Sequence, residues 1–522
     1  MRTTSLLAFG LVSSVLACGR NTAPPRGSGT ATPGGDGTAA APGTAKGEPQ
    51  APGGEDILAA VEEMNGDRFA RPSRSFRKGH VTKRKAPAAV KTATGWQVKF
   101  GSGAAITTPA VYEGMVYTSG GFNSKEFYAF ETATGKPRWA IDLDDDGPST
   151  AACAERVCVF NTESCTIFAV DSKSGEQLWS WWLGDPLTSA PTIGGGLVFT
   201  SYPAASAEGA KPRPPGASHA LIALDLKTGA IKWQKWLDSD VMSAPVVAGE
   251  FLYVSTFAGT VMKLEPATGK VRYAIKSRAT SAPVVTWENG RESMYYTRRG
   301  VAAEEVDGAE EMIIRADDNH PKTKYKAKKK AARYIDFADQ AVSGHAAKGK
   351  SQDSGNGFGG GAPASANAEA AQLNVGVSSV STMQTYQGSR ILHLGQTNVN
   401  TMGDEVVATS AETGDELWSF KLDGDTHVDG GHLGTAPLAA GGRVLVATLK
   451  GEILELDPVK GAVRKRHAVG GSVRSQPVVD GGWIFVGTDD GRLVAIDTHD
   501  RTLTGWPMWG GDAARTGAVA AR

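Results

Sequence analysis

An all-β fold made of one small antiparallel sheet copied around a ring is what this sequence predicts. Three observations predict it: a phrase that recurs at steps near forty residues, strand signals inside each copy, and a Gly and a Trp at fixed places in the phrase. The phrase reads Phe127-Tyr-Ala-Phe-Glu-Thr-Ala-Thr-Gly135-Lys-Pro-Arg-Trp139, then Ile167-Phe-Ala-Val-Asp-Ser-Lys-Ser-Gly175-Glu-Gln-Leu-Trp179. It returns as Leu221-Ile-Ala-Leu-Asp-Leu-Lys-Thr-Gly229-Ala-Ile-Lys-Trp233, and again around Gly269 and Gly414.

Each copy resolves into short strands. In residues 472–497 an apolar run over 473–479 precedes the turn Asp480-Gly481-Gly482. A second strand covers 483–487, Asp489-Asp490-Gly491 turns the chain, and a third covers 492–497. β-Branched and apolar residues between Gly and Asp pairs are hairpin chemistry. The fourth strand follows the Thr-Gly turn and carries the Trp, as in 136–143. Glycine supplies the positive φ of that turn, and the indole is a plate that fills space between neighbouring sheets. Four-stranded sheets repeated radially make a β-propeller.

The turn glycines count the blades. Steps 135 to 175 and 229 to 269 are each 40 residues, 175 to 229 is 54, and 414 to 461 is 47. The 145-residue step from 269 to 414 has room for two blades: one over 281–317, the other over 377–383, 390–395 and 406–410. With 96–135 as the first copy and 494–500 closing the last, the expectation is an eight-bladed propeller over 96–517, with seven blades as the other count.

The pattern Ala-x-Asp-x-x-Thr-Gly-x-x-x-Trp, clearest at Ile167–Trp179 and Leu221–Trp233, resembles the repeat of the pyrroloquinoline-quinone (PQQ)-like propellers. The Gly-His and Trp-Asp marks of WD40 repeats do not recur here. The tail Gly505-Trp-Pro-Met-Trp-Gly-Gly-Asp-Ala-Ala-Arg-Thr-Gly517 resembles a terminal segment of the same superfamily and is expected to join a terminal blade and help close the ring. In the dehydrogenases of that superfamily the resemblance implies PQQ, a Ca²⁺ held by acidic and amide side chains, a stacking Trp, an Asp base and, in many, a disulfide of adjacent cysteines. This chain has no Cys-Cys pair, and no calcium-and-base set maps onto it, so neither cofactor nor catalytic residue is expected.

The N-terminus gives an address. Met1-Arg2, an apolar run over 6–16 and Val15-Leu16-Ala17-Cys18 make a signal peptide over 1–17 that is too short to span a bilayer. Cys18 after Ala17 resembles a bacterial lipobox, which implies a lipid on Cys18; an ordinary cut near Ala17 is the other reading. Gly19 in the next place implies the outer membrane. Residues 18–55, rich in Gly, Pro and Ala, cannot bury enough surface to fold and read as a tether. Residues 56–95 are a lead-in, with a short amphipathic helix over 56–64 and a basic, irregular stretch over 78–91.

Lys+Arg 55 against Asp+Glu 55 leaves no net charge to steer the chain to nucleic acid. An exported chain meets an oxidising compartment. Cys153 and Cys158 flank a hairpin turn and are the expected disulfide, with Cys165 as the rival partner.

Two clusters have metal-ligand chemistry. Asp142, Asp144 and Asp146 precede Gly147 as in a calcium loop, but position 12 holds Cys153 where that loop needs a bidentate Glu. His427, Asp429 and His432 gather near the expected mouth of the central channel, in donor types that suit Zn²⁺ but without a metal motif's spacing. In both, a polar loop is the plainer reading. A basic run (Lys322, Lys324, Lys326, Lys328, Lys329, Lys330, Arg333) and a Gly/Ser/Ala-rich stretch over 338–374 read as an insertion in the sixth blade: a solvated loop, or a surface for anionic lipid or an acidic partner.

These features, with the resemblance, lead to a non-enzymatic, monomeric, lipid-anchored envelope propeller that offers its surfaces to envelope proteins. Lipobox, repeat and blade count resemble those of propeller lipoproteins in the outer-membrane β-barrel assembly machinery. The alternatives are a PQQ- or metal-dependent periplasmic oxidoreductase, or a sensor with a small ligand in its channel.

Overall fold

The computed structural model describes residues 81–121, 124–162, 166–183, 189–203, 214–288, 290–299, 310–317, 320–322, 328–330, 390–425 and 432–518. Among them there is no helix, hence none long and apolar enough to cross a membrane. The strands form eight antiparallel sheets, the eight blades of a β-propeller.

The innermost strands are, in ring order, Ala110–Tyr112, Ala152–Ala154, Thr192–Gly194, Val246–Ala248, Val284–Glu288, Leu392–Leu394, Leu438–Ala440 and Val478–Asp480. In blades one to four, six and seven the chain steps outward in sequence order. Blade three, for example, runs Thr192–Gly194, Leu197–Pro203, His219–Asp225, Ile231–Leu237. Between its third and fourth strands the register slips, from Ala223 opposite Trp233 to Leu224 opposite Ile231. The same slip precedes the Gly turn in blades one, two, four, six and seven. A bulge repeated at one place re-aims the chain identically each time.

The repeated phrase is the joint between blades. In the turn after His219–Asp225, Asp225 Oδ1 accepts from the Thr228 amide (3.0 Å) and hydroxyl (2.9 Å). Lys232, with help from Thr228, holds that carboxyl down to about 2. Gly229 follows at φ +68°, and a Cβ there would lie 2.7 Å from the Trp179 ring of the preceding blade. The same indole donates from Nε1 to Leu226 O at 2.9 Å. Trp96 with Gly135, Trp139 with Gly175, Trp233 with Gly269 and Trp418 with Gly461 repeat this seating, each indole N–H bonded to a carbonyl of the same turn. The Trp thus packs across the joint, and the Gly is required twice over, for its φ and for the plate laid on it.

The ring closes differently from expectation. Trp96 does not open the first blade: its strand, Gly95–Lys99, is the fourth strand of the last blade and pairs with Arg492–Asp497. The two ends of the propeller are thereby joined by a sheet ladder. The basic stretch before it is not irregular throughout. Val81–Lys83 adds a strand outside Pro137–Leu143 in blade one, and Val90–Thr92 adds one outside Gly95–Lys99. Arg84 anchors the first of these, its Nη1 meeting Glu126 at 2.5 Å and Asp142 at 2.6 Å.

Part of the basic run also belongs to a blade. His320–Lys322 and Lys328–Lys330 both pair with Glu310–Asp317, on the outer side of blade five. The long insertion therefore leaves the fifth blade and returns at the sixth. The strand expected over 377–383, the helix over 56–64, and residues 1–80 generally lie outside the described residues. Blade six has Leu392–Leu394, inside the expected 390–395, as its innermost strand and Thr397–Met402 as its second.

Candidate functional site

An innermost strand has a partner on one side only; its other edge faces the axis with backbone N–H groups that need acceptors. In this chain the tail supplies them. Val479 N donates to Trp506 O (2.8 Å), and Val479 O accepts from Trp506 N (3.1 Å). Val111 N donates to Pro507 O (2.6 Å), Ile193 N to Ala513 O (2.8 Å), Val247 N to Ala514 O (3.0 Å) and His393 N to Gly517 O (3.3 Å). These residues belong to the innermost strands of blades eight, one, three, four and six. The tail therefore winds round the axis in ring order instead of adding a strand to one terminal blade.

Small residues let the tail make so tight a circuit. Gly510, Gly511 and Gly517 all have positive φ, and Gly517 N closes on Gly510 O at 2.8 Å. Asp512 caps the following turn, accepting from Thr516 N (3.2 Å) and Thr516 Oγ1 (2.9 Å). Trp506, Met508 and Trp509 are buried, and the Trp509 plate packs on Ala190 and Ala244 at the ends of two innermost strands.

Polar groups lock the tail to the ring. Arg515 donates from Nη1 to Trp509 O (2.7 Å) and from Nη2 to Ala151 O (3.0 Å) and Pro191 O (3.1 Å), tying blades two and three to the tail. Gln476 Oε1 accepts from Trp506 Nε1 (3.2 Å) and Gly510 N (3.1 Å), while its Nε2 donates to Ala436 O (3.2 Å) and Pro437 O (3.1 Å). Arg390 donates from Nη2 to Arg515 O. A sequence signal marks two of these residues. Most blades enter the innermost strand through a Pro preceded by a small residue, as in Ser189-Ala190-Pro191, Ser243-Ala244-Pro245, Ser281-Ala282-Pro283 and Thr435-Ala436-Pro437. Gln476 and Arg390 stand in the Ala place of that phrase, and both reach the tail.

The sequence-predicted residues lie elsewhere. Cys153 and Cys158 are opposite each other in the first hairpin of blade two, joined by a disulfide with Cα atoms 4.1 Å apart, the close spacing of a pair without mutual backbone bonds. Cys165 and Cys18 lie outside the described residues. Asp142 serves the Arg84 anchor, and the neighbouring Asp145 accepts from Thr162 Oγ1 at 2.8 Å. Asp144 and Asp146 do not converge with Asp142 on a shared centre: among the described residues no three His, Cys, Asp or Glu side chains do. His427 and Asp429 lie outside the described residues, and the His432 Nδ1 is 3.1 Å from Thr401 O.

A family profile described as outer membrane protein assembly factor BamB, built on the PQQ-like repeat, matches residues 78–201, 166–312 and 402–512. The chain belongs to this family. No curated protein matches it. Among solved structures, BamB from Moraxella catarrhalis is 13% identical, over 78% of this chain and 100% of that one, with a TM-score of 0.48. The quinohemoprotein alcohol dehydrogenase of Comamonas testosteroni is 12% identical, over 79% of this chain and 77% of that one, with a TM-score of 0.50. Likeness at such identity speaks for the fold alone.

Among the described residues of this BamB-family chain the quinone set finds no fit. Its disulfide staples a hairpin between residues five apart in sequence, not a pair of adjacent cysteines. Its axial Trp509 is stacked with Arg390 and Arg515 and covered by its own chain.

Proposed function

We propose that this protein is a non-enzymatic scaffold of the cell envelope. In this reading residues 1–17 are removed on export, Cys18 carries the lipid, residues 18–55 are the tether, and the propeller meets other envelope proteins through its rim and its loops in outer-membrane protein assembly. One observation carries it: the axis, where a propeller enzyme or sensor would hold its ligand, is laced by the protein's own tail, which is bonded to the innermost strands of five blades. What is left to offer is outer surface, and membership of the BamB family supports the same use of it.

The test is capture of the full-length lipoprotein from crosslinked membranes, beside the Cys18→Ala form. Recovery of outer-membrane assembly components with the first and their loss with the second is the expected result. Quinone absorbance and dye reduction on adding PQQ and Ca²⁺ to the purified protein would overturn the scaffold reading.

A further inference from the structure

Blades six and seven stand out at the rim. Outside Glu416–Lys421 of blade six and Val463–Ala468 of blade seven no further strand pairs among the described residues, whereas blades one and eight each carry an added one. In each of these two strands four of the six residues are exposed. The outermost strands of blades two, three and four expose two at most. A bare strand edge is a place for another chain unless something covers it.

The two edges are opposite in charge. Over residues 404–421 blade six has Asp404, Glu405, Glu412, Asp415 and Glu416 against Lys421. Over the equivalent residues of blade seven, 451–468, Lys460, Arg464, Lys465 and Arg466 outnumber Glu452, Asp457 and the buried Glu455. Arg464 and Arg466 are bonded within the blade, to Asp457 and Glu452 at 2.6 and 2.7 Å, while Lys460, Lys465 and Glu412 form no ion pair among the described residues. Two exposed apolar side chains flank the joint between these blades. Leu417 (54% exposed) precedes Trp418, whose ring lies on Gly461; Val459 (77%) follows Pro458, whose carbonyl takes the indole N–H. At the other Trp–Gly joints these two places are not both large and apolar: Leu178, for instance, is matched by Lys227. The two blades are also out of step, with Glu412 in the place of Val459 and Leu417 in the place of Arg464.

We propose that this joint is an interface with a second copy of the chain, in place of the monomer expected from the sequence. A two-fold axis at the joint sets blade six of one copy against blade seven of the other, and does so twice. With the edges antiparallel, Glu412 and Leu417 of one copy meet Arg464 and Val459 of the other. Apolar then covers apolar, and acid faces base, in both halves. Six on six or seven on seven would set like charge on like, so the charges fix the arrangement.

The test uses the full-length chain in its Cys18→Ala form, so that no lipid gathers the copies. Sedimentation equilibrium is expected to give the mass of two chains at low salt, with the dimer share falling as salt rises. Val459→Glu is expected to sediment as a single chain. Glu412→Lys and Lys465→Glu are each expected to be monomeric alone and to form a heterodimer when mixed, a rescue that a folding defect does not produce. A further arm needs no interface variant: with a heavy-nitrogen-labelled copy mixed in, a carbodiimide is expected to join Lys460 or Lys465 of one isotope to Glu412, Asp415 or Glu416 of the other. A single-chain mass at low salt, a dimer that survives Val459→Glu, no rescue on mixing, or links confined to one isotope would each overturn the proposal.

Discussion

At the rim of this propeller one joint is used again and again; at the axis nothing repeats. Five of the eight blade junctions are closed by an indole laid over a turn glycine, with the indole N–H on the same turn. The axis is closed by one short segment whose successive residues meet different blades through different groups. A repeat can specify contacts between like neighbours, because every copy meets the same surface. It cannot specify its own centre, where eight equivalent edges converge and one chain has to serve them unequally.

The contrast predicts that losing the axial segment costs more than losing any one joint. Removing residues 505–522 leaves inner-strand donors of five blades facing a void. At roughly 1 kcal/mol for each lost bond, before the burial of two indoles is added, the denaturation midpoint should drop by the equivalent of about 5 kcal/mol or more. An unchanged midpoint would mean that the ring stands without its axle.

A single joint comes next. Trp179 is buried at the seam of blades two and three, and Trp179→Ala should cost about 3–5 kcal/mol in urea unfolding. Gly229→Ala should cost about 1–3 kcal/mol, from the φ of +68° and the clash with the same ring. In the double variant the costs should fall short of their sum, since removing the indole removes the clash. Strict additivity would break the claim that the two residues are one device.

The seventh and eighth blades give the smallest effect. At their junction Arg443 bridges Glu455 (3.5 Å) and Asp500 (2.6 Å), and Glu455 also meets His467 Nε2 at 2.6 Å. Burial pushes the Glu455 carboxyl up, but His467 and Arg443 outweigh it and hold it below its ordinary value of 4.5. Its folded value is thus below its unfolded one, so its stabilising share is in place above about pH 4.5 and is lost as the pH falls through the lowered value. Arg443→Met should weaken the protein slightly, and less so in high salt, whereas the Trp179 effect should not respond to salt.

The rim was the legible part. Gly229 and Trp179 announce their roles because four other pairs say the same thing, and the step between glycines yields the blade count. The closure of the ring was hidden for a physical reason: Gly95–Lys99 and Arg492–Asp497 are nearly four hundred residues apart, and no local pattern states which strand completes which sheet. The tail showed its aromatic and glycine content but not its destination. That destination was written in two departures, Arg390 and Gln476 in the Ala place of a recurring Ala-Pro step, whose meaning depends on what stands opposite them. The acidic run at 142–146 read as a loop with ligand chemistry, whereas Asp142 anchors an added strand through Arg84, a partner fifty-eight residues away.

Amide hydrogen exchange, compared between the full-length protein and the form ending at Thr504, tests the central claim most directly. If the tail is the axle, the amides of Val111, Ile193, Val247, His393 and Val479 are protected in the first and exchange rapidly in the second, while the amides of outer strands such as Ile231–Leu237 keep more of their protection. If those five amides exchange equally fast in both forms, the tail does not serve the innermost strands and the account fails.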